Sequence, residues 1–154
     1  MKTFTIYDLI DKRDILDESI KVFWTTWGNK NNFRFYEDTI LNSCKIENTL
    51  PRFYIALMDN RIIGTYALLM DDFSSRQDLF PWFACLWINP DFRGNNFGMI
   101  LQKHAIQESL RFGYKNLYLC KDLNGYYEKS DWTFLSNAYL ISGETTKIYS
   151  IKID

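Results

Sequence analysis

The chain has 154 residues, 47% hydrophobic and 24% charged, and its 18 Lys plus Arg against 19 Asp plus Glu leave a formal charge of −1. A length near that of one typical domain buries on the order of 70% of the surface the unfolded chain exposes, so residues 1–154 are expected to form a single domain without staples. The balanced charge offers no general pull toward nucleic acid or an anionic membrane, and the composition is that of a folded chain, not a disordered one.

Cys44, Cys85 and Cys120 are far apart and odd in number, which suits neither a disulfide framework nor a metal site. With one histidine, His104, no zinc site and no two-histidine chemistry is expected, so no metal is assigned. The N-terminus reaches Asp8 without a long apolar stretch, unlike a signal peptide, and no apolar run approaches the roughly 20 residues of a membrane span. A cytoplasmic, reduced protein is the expectation.

In chain order, residues 3–9 read as a strand. Residues 14–27 carry Ile15, Leu16, Ile20, Phe23, Trp24 and Trp27 at helical spacing. A turn cluster, 28–32, leads to a second helix over 33–44, with Phe33, Tyr36, Ile40 and Leu41 on one face. Residues 52–58 and 61–70 form a hairpin about Asp59-Asn60, and 71–78 a polar loop. The apolar strand 82–89 stops at Pro90, which cannot donate to a ladder. A helix over 98–112 places Phe97, Ile100, Leu101, His104, Ala105 and Phe112 on its apolar face and Gln102, Lys103 and Gln107 away from it. Gly113 ends it. Strand 115–120, a short helix 125–130 and strands 132–141 and 146–153 complete the order β-α-α-β-β-β-α-β-α-β-β. An α/β fold with a mixed, largely antiparallel sheet and one parallel step follows.

The stretch from Leu86 to Leu101 is a strand stopped by proline, a small-residue turn, and a helix starting at that turn. Helix N-termini present unpaired amides and partial positive charge, which attract phosphate. Glycines let the backbone reach positive φ and let a phosphate approach without a Cβ in the way. Arg93 adds a cation. The pattern is neither a dinucleotide-binding GxGxxG nor a P-loop.

Arg93-Gly94-Asn95-Asn96-Phe97-Gly98-Met99-Ile100-Leu101 resembles the R-G-x-G-x-G-x-x-L acyl-CoA motif of the GNAT superfamily of N-acetyltransferases, and residues 81–90 resemble the strand before it. Tyr126-Tyr127-Glu128-Lys129-Ser130-Asp131-Trp132 resembles that family's F-Y-E-K-x-G-F/W segment. Two glycines of the pattern are replaced, by Asn96 and Asp131, the residue types that best tolerate left-handed backbone. Cys120 stands where the family often has Asn.

The resemblance implies a GNAT-like central sheet of six to seven strands flanked by about four helices. It implies acetyl-CoA as acyl donor, with the diphosphate on the amides of Arg93, Gly94, Asn95, Asn96, Phe97, Gly98 and Met99. The pantetheine arm would lie beside Leu86, Trp87 and Ile88, pairing as an added strand does. A primary amine of a small molecule or peptide attacks the thioester directly, backbone N–H groups polarise its carbonyl, and Tyr127 protonates the departing thiolate. A monomer or homodimer is expected. The rival readings are a non-catalytic acyl-CoA-binding sensor or interaction module, and an interaction protein that uses its aromatic surface.

Other residues read more plainly. Cys85 and Cys120, inside apolar strands, are expected to be buried and structural, and His104 semi-buried. Asp71, Asp72 and Asp78 belong to a solvated loop before the cofactor strand, with Asp78 the one placed to draw in an amine. Trp24, Trp27, Phe33 and Trp82 are core residues or, alternatively, acceptor-pocket walls able to offer cation–π contact.

Overall fold

Runs of branched and aromatic residues form strands, and the central ones are buried along nearly their whole length rather than on alternate residues. The computed structural model describes residues 3–121 and 131–154. Its strands are β1 Phe4–Asp8, β2 Arg52–Met58, β3 Arg61–Leu69, β4 Trp82–Ile88, β5 Asn116–Lys121, β6 Thr133–Tyr139 and β7 Thr145–Lys152. They form a seven-stranded sheet in the order β1-β2-β3-β4-β5-β7-β6. The sheet is mostly antiparallel, and β4–β5 is the expected parallel step, with Trp82 opposite Tyr118. The helices among the described residues are α1 Leu16–Trp27, α2 Phe33–Ser43 and α3 Phe97–Arg111. The helix expected over 125–130 lies outside the described residues.

The chain divides into two compact units, one of Met1–Ala67 and Cys85–Leu101, the other of Leu68–Ala84 and Gln102–Asp154. In the first, Ile20 and Phe23 of α1, Ile40 of α2, Phe53 and Ile55 of β2 and Ile63 of β3 are buried, as helical and strand periodicity require. Phe23 meets Phe53 edge-on at 5.3 Å, and Tyr54 stacks on Tyr66 at 4.4 Å. Gly64 has a packing reason. A Cβ there would come within 3.1 Å of the Trp87 carbonyl oxygen and of the Ile88 and Leu101 side chains, a tight fit that those neighbours would have to yield to by a few tenths of an ångström.

The same unit holds a buried ion pair. Arg52, 1% exposed, places Nε 2.9 Å from Asp8 Oδ2. Its Nη2 donates to the Ser43 carbonyl at 2.7 Å, and its Nη1 to the carbonyls of Ile46 and Thr49 at 2.8 and 3.1 Å. One guanidinium therefore ties the end of β1 and the start of β2 to the chain leaving α2. Burial raises the Asp8 pKa above its ordinary value and outweighs the lowering by the Ile10 amide and Arg52.

In the second unit Trp82 packs with Ala138 and Ile148. Trp132 is also buried, stacks with Phe83 at 6.2 Å and donates its indole N–H to Gln102 Oε1 at 3.1 Å. This corrects the expected face of α3. Gln102 is 3% exposed and Ile100 39%, because a buried indole needs an acceptor and an amide supplies it.

Removing one member of a buried ion pair strands the other charge, which typically costs about 3–5 kcal/mol. Arg52→Ala is expected to lower stability by that order, read as a lower urea midpoint at unchanged slope.

Candidate functional site

β4 changes character halfway. Trp82, Phe83 and Ala84 are buried, whereas Cys85, Leu86, Trp87 and Ile88 are half-buried. The change falls at Cys85, whose φ of +57° is left-handed within a strand. That conformation is costly for a residue with a Cβ and re-aims the chain as a bulge does. The Cys85 carbonyl accepts the Thr65 hydroxyl at 2.9 Å. The Asn89 amide then donates to the Ile63 carbonyl at 2.7 Å, and Pro90–Phe92 form a single 3-10 turn.

The turn and the start of α3 bring the predicted cofactor residues together. Arg93 donates from Nε to the Ile88 carbonyl at 3.0 Å, so its exposed guanidinium is held at the end of β4. Asn95 Nδ2 donates to the Phe92 carbonyl at 3.1 Å. Gly94 and Asn96 are left-handed, with φ of +84° and +61°. The Asn96 carbonyl accepts the Ile100 amide at 3.0 Å, which starts the α3 ladder. The amides of Phe97, Gly98 and Met99 fall within the first turn, where no intrahelical acceptor exists. Phe97 is pinned by stacking on Phe4 at 5.0 Å.

The residues fit an anionic ligand at these amides. A Cβ built on Gly98 would meet nothing within 4 Å, and its φ is not left-handed. Glycine in a helix costs about 1 kcal/mol relative to alanine, so nothing inside the chain requires it there. The open space suits a group resting against the backbone. Asn96 in the turn and Asp131 in the later segment, at φ +61° and +71°, both adopt the left-handed backbone that glycine favours.

Other expectations fare differently. Trp82 is a core residue of its unit. Trp24 and Phe33, half-buried, meet edge-on at 5.2 Å. Cys85 and Cys120 are half-buried rather than buried. Tyr36 of α2 lies near Cys85, and burial first and then that thiol raise its pKa. Asp78 accepts both Nε and Nη2 of Arg76 at 3.0 Å, which holds its pKa low. Tyr127, the predicted acid, lies outside the described residues. The kink at Cys85 left no signal in sequence, since no Gly or Pro interrupts the apolar run. Gly64 did carry one, an isolated glycine in a strand pattern.

Among the described residues, no group of three or more His, Cys, Asp or Glu side chains could hold a metal ion. No helix among them is long and apolar enough to cross a membrane.

Replacing Gly98 by Ala should leave the unliganded protein as stable as before, or more stable by up to about 1 kcal/mol, and weaken coenzyme A binding. Urea unfolding and calorimetry read the two separately; unchanged affinity would show that nothing approaches this backbone.

Residues 14–131 match the profile of the Acetyltransferase (GNAT) family. No curated protein sequence matches. Solved structures do. A Desulfovibrio desulfuricans protein assigned to the GNAT family superposes with a TM-score of 0.74 at 12% identity, covering 99% of this chain and 100% of that one. An aminoglycoside 6'-N-acetyltransferase complexed with coenzyme A gives 0.72 at 12% identity, covering 97% of each. A Salmonella typhimurium acetyltransferase that modifies the N-terminal serine of ribosomal protein L7/L12 gives 0.69 at 10% identity, covering 99% and 96%.

Proposed function

The chain belongs to the acetyltransferase (GNAT) family, and on that premise we propose that it transfers the acetyl group of acetyl-CoA directly to a primary amine of a small molecule or peptide. The observation that carries this reading is the first turn of α3, where amides without an intrahelical acceptor lie beside a glycine with open space in place of a side chain. A diphosphate there satisfies the orphan amides and meets the partial positive charge of the helix end. Arg93, held at the end of β4, adds a fixed cation to the same mouth.

Bound acetyl-CoA supplies an activated thioester. Residues 93–99 hold its diphosphate, and the half-buried backbone of Leu86, Trp87 and Ile88 lies along its pantetheine arm. Strand N–H groups following the kink at Cys85 polarise the carbonyl, worth about 3 kcal/mol for one well-aimed donor. Tyr127 protonates the departing sulfur, a role taken from the family resemblance. A phenol, with its reference pKa near 10, stays protonated at neutral pH. The acceptor class is supported by the structural neighbours, which act on an aminoglycoside and on an N-terminal serine. We further propose that residues 1–154 act as one domain in the cytoplasm, as a monomer or homodimer.

Acetyl-CoA at about 100 times its Kd should add about 2.7 kcal/mol of stability, read as a rise in Tm; no shift at millimolar concentration overturns the reading. Tyr127→Phe is expected to keep coenzyme A affinity and lower kcat by about 10²-fold or more. Unchanged turnover assigns the proton to another group.

A further inference from the structure

The kink in β4 is held by β3. Cys85 takes φ +57° inside a strand, a backbone that a residue with a Cβ keeps only where its surroundings over-determine it. Thr65, fully buried on β3, donates its hydroxyl to the Cys85 carbonyl at 2.9 Å. At Gly64, the residue before, the Trp87 carbonyl oxygen lies 3.1 Å from where a Cβ would sit. One residue earlier again, the Ile63 carbonyl accepts the Asn89 amide at 2.7 Å. Three successive residues of β3 therefore meet β4 from its kink to its end. All of them belong to the compact unit that also carries Arg93–Met99.

The Thr65 bond fixes more than one carbonyl. A trans peptide sets its C=O and the following N–H in opposite directions. The peptide from Cys85 to Leu86 is trans. With the Cys85 carbonyl turned to Thr65, the Leu86 N–H is directed away from Thr65. A hydroxyl on β3 thus sets the heading of a donor on β4 without standing near whatever that donor meets.

We propose that Thr65 is a positioning residue that aims the Leu86 N–H at the acetyl carbonyl of the bound thioester. The inference rests on the transferase reading above, in which strand N–H groups past the kink polarise that carbonyl. A donor fixed in advance costs no reorganisation as charge develops on the oxygen. A misplacement of about 1 Å can cost about 10²-fold in rate. Thr65 acts only through the Cys85 carbonyl, so its loss is felt at the acyl group and not at the diphosphate.

Two substitutions separate positioning from packing. Thr65→Val keeps the branched shape and removes the donor, whereas Thr65→Ser keeps the donor and removes a buried methyl group. If packing alone mattered, serine would be at least as harmful as valine, because it leaves a cavity. Positioning predicts the reverse order.

Acetyl-CoA labelled with a heavy isotope at the acetyl carbonyl reads this without any acceptor. Its infrared carbonyl stretch should fall below the solution value on the wild type and on Thr65→Ser, and return toward that value on Thr65→Val. Coenzyme A affinity, by calorimetry, should be equal in all three. With kanamycin, spermidine and a serine-initiated peptide as acceptors, Thr65→Val should lower kcat by about 10²-fold, and Thr65→Ser by far less. Thr65→Ala, which also removes the donor, replaces Thr65→Val if urea unfolding shows that the latter is not folded. A wild-type stretch in the variant without the hydroxyl overturns the role of Thr65 and leaves the transferase intact. A stretch lost equally in Thr65→Ser assigns the effect to packing and overturns it too. A wild type that binds no coenzyme A removes the transferase reading itself, and this inference with it.

Discussion

A helix cannot satisfy the amides of its own first turn, and the most informative part of this protein is built around where those amides are left. β4 must stop, turn and release the chain so that α3 begins with its amides open and its dipole aimed outward. Pro90 ends the ladder, Gly94 and Asn96 take left-handed backbone, and Phe97 is pinned on Phe4. Gly64 allows β3 to lie against the β4 backbone at this level. Each feature follows from a steric or hydrogen-bonding demand, and together they open α3 on a first turn whose amides have no acceptor within the helix.

Two carboxylates show how one physical cause yields different outcomes. Burial raises the pKa of both Asp8 and Asp72. Asp8 receives Arg52 and the Ile10 amide, so its charge is retained as a crosslink between elements. Asp72 receives no such partner among the described residues; Asp71 adds a like charge, and Lys121 opposes it. A partnered buried charge is spent on architecture. Without such partners, burial and then the like charge of Asp71 raise the Asp72 pKa to about 7.

The aromatic residues, conspicuous in composition, divide the same way once contacts are known. Trp82 and Trp132 are core, and Trp132 imposes a polar residue, Gln102, on the buried face of α3. Trp24, Phe33 and Tyr36 stay half-buried on the helices of the other unit.

The chain order of the described elements, the proline stop and the glycine-bearing turn were legible in sequence, because each depends on local periodicity or on a residue's own backbone preference; the motif was legible as a resemblance to a known family. Asn96 and Asp131 were legible as tolerable replacements for the same reason. Tertiary structure alone decided the left-handed kink at Cys85, the burial of Gln102, the capture of Asp78 by Arg76 and the raised pKa of Asp72. Those depend on which distant groups arrive beside a side chain and on how much water they exclude. Neither quantity is written in the spacing of residues along the chain.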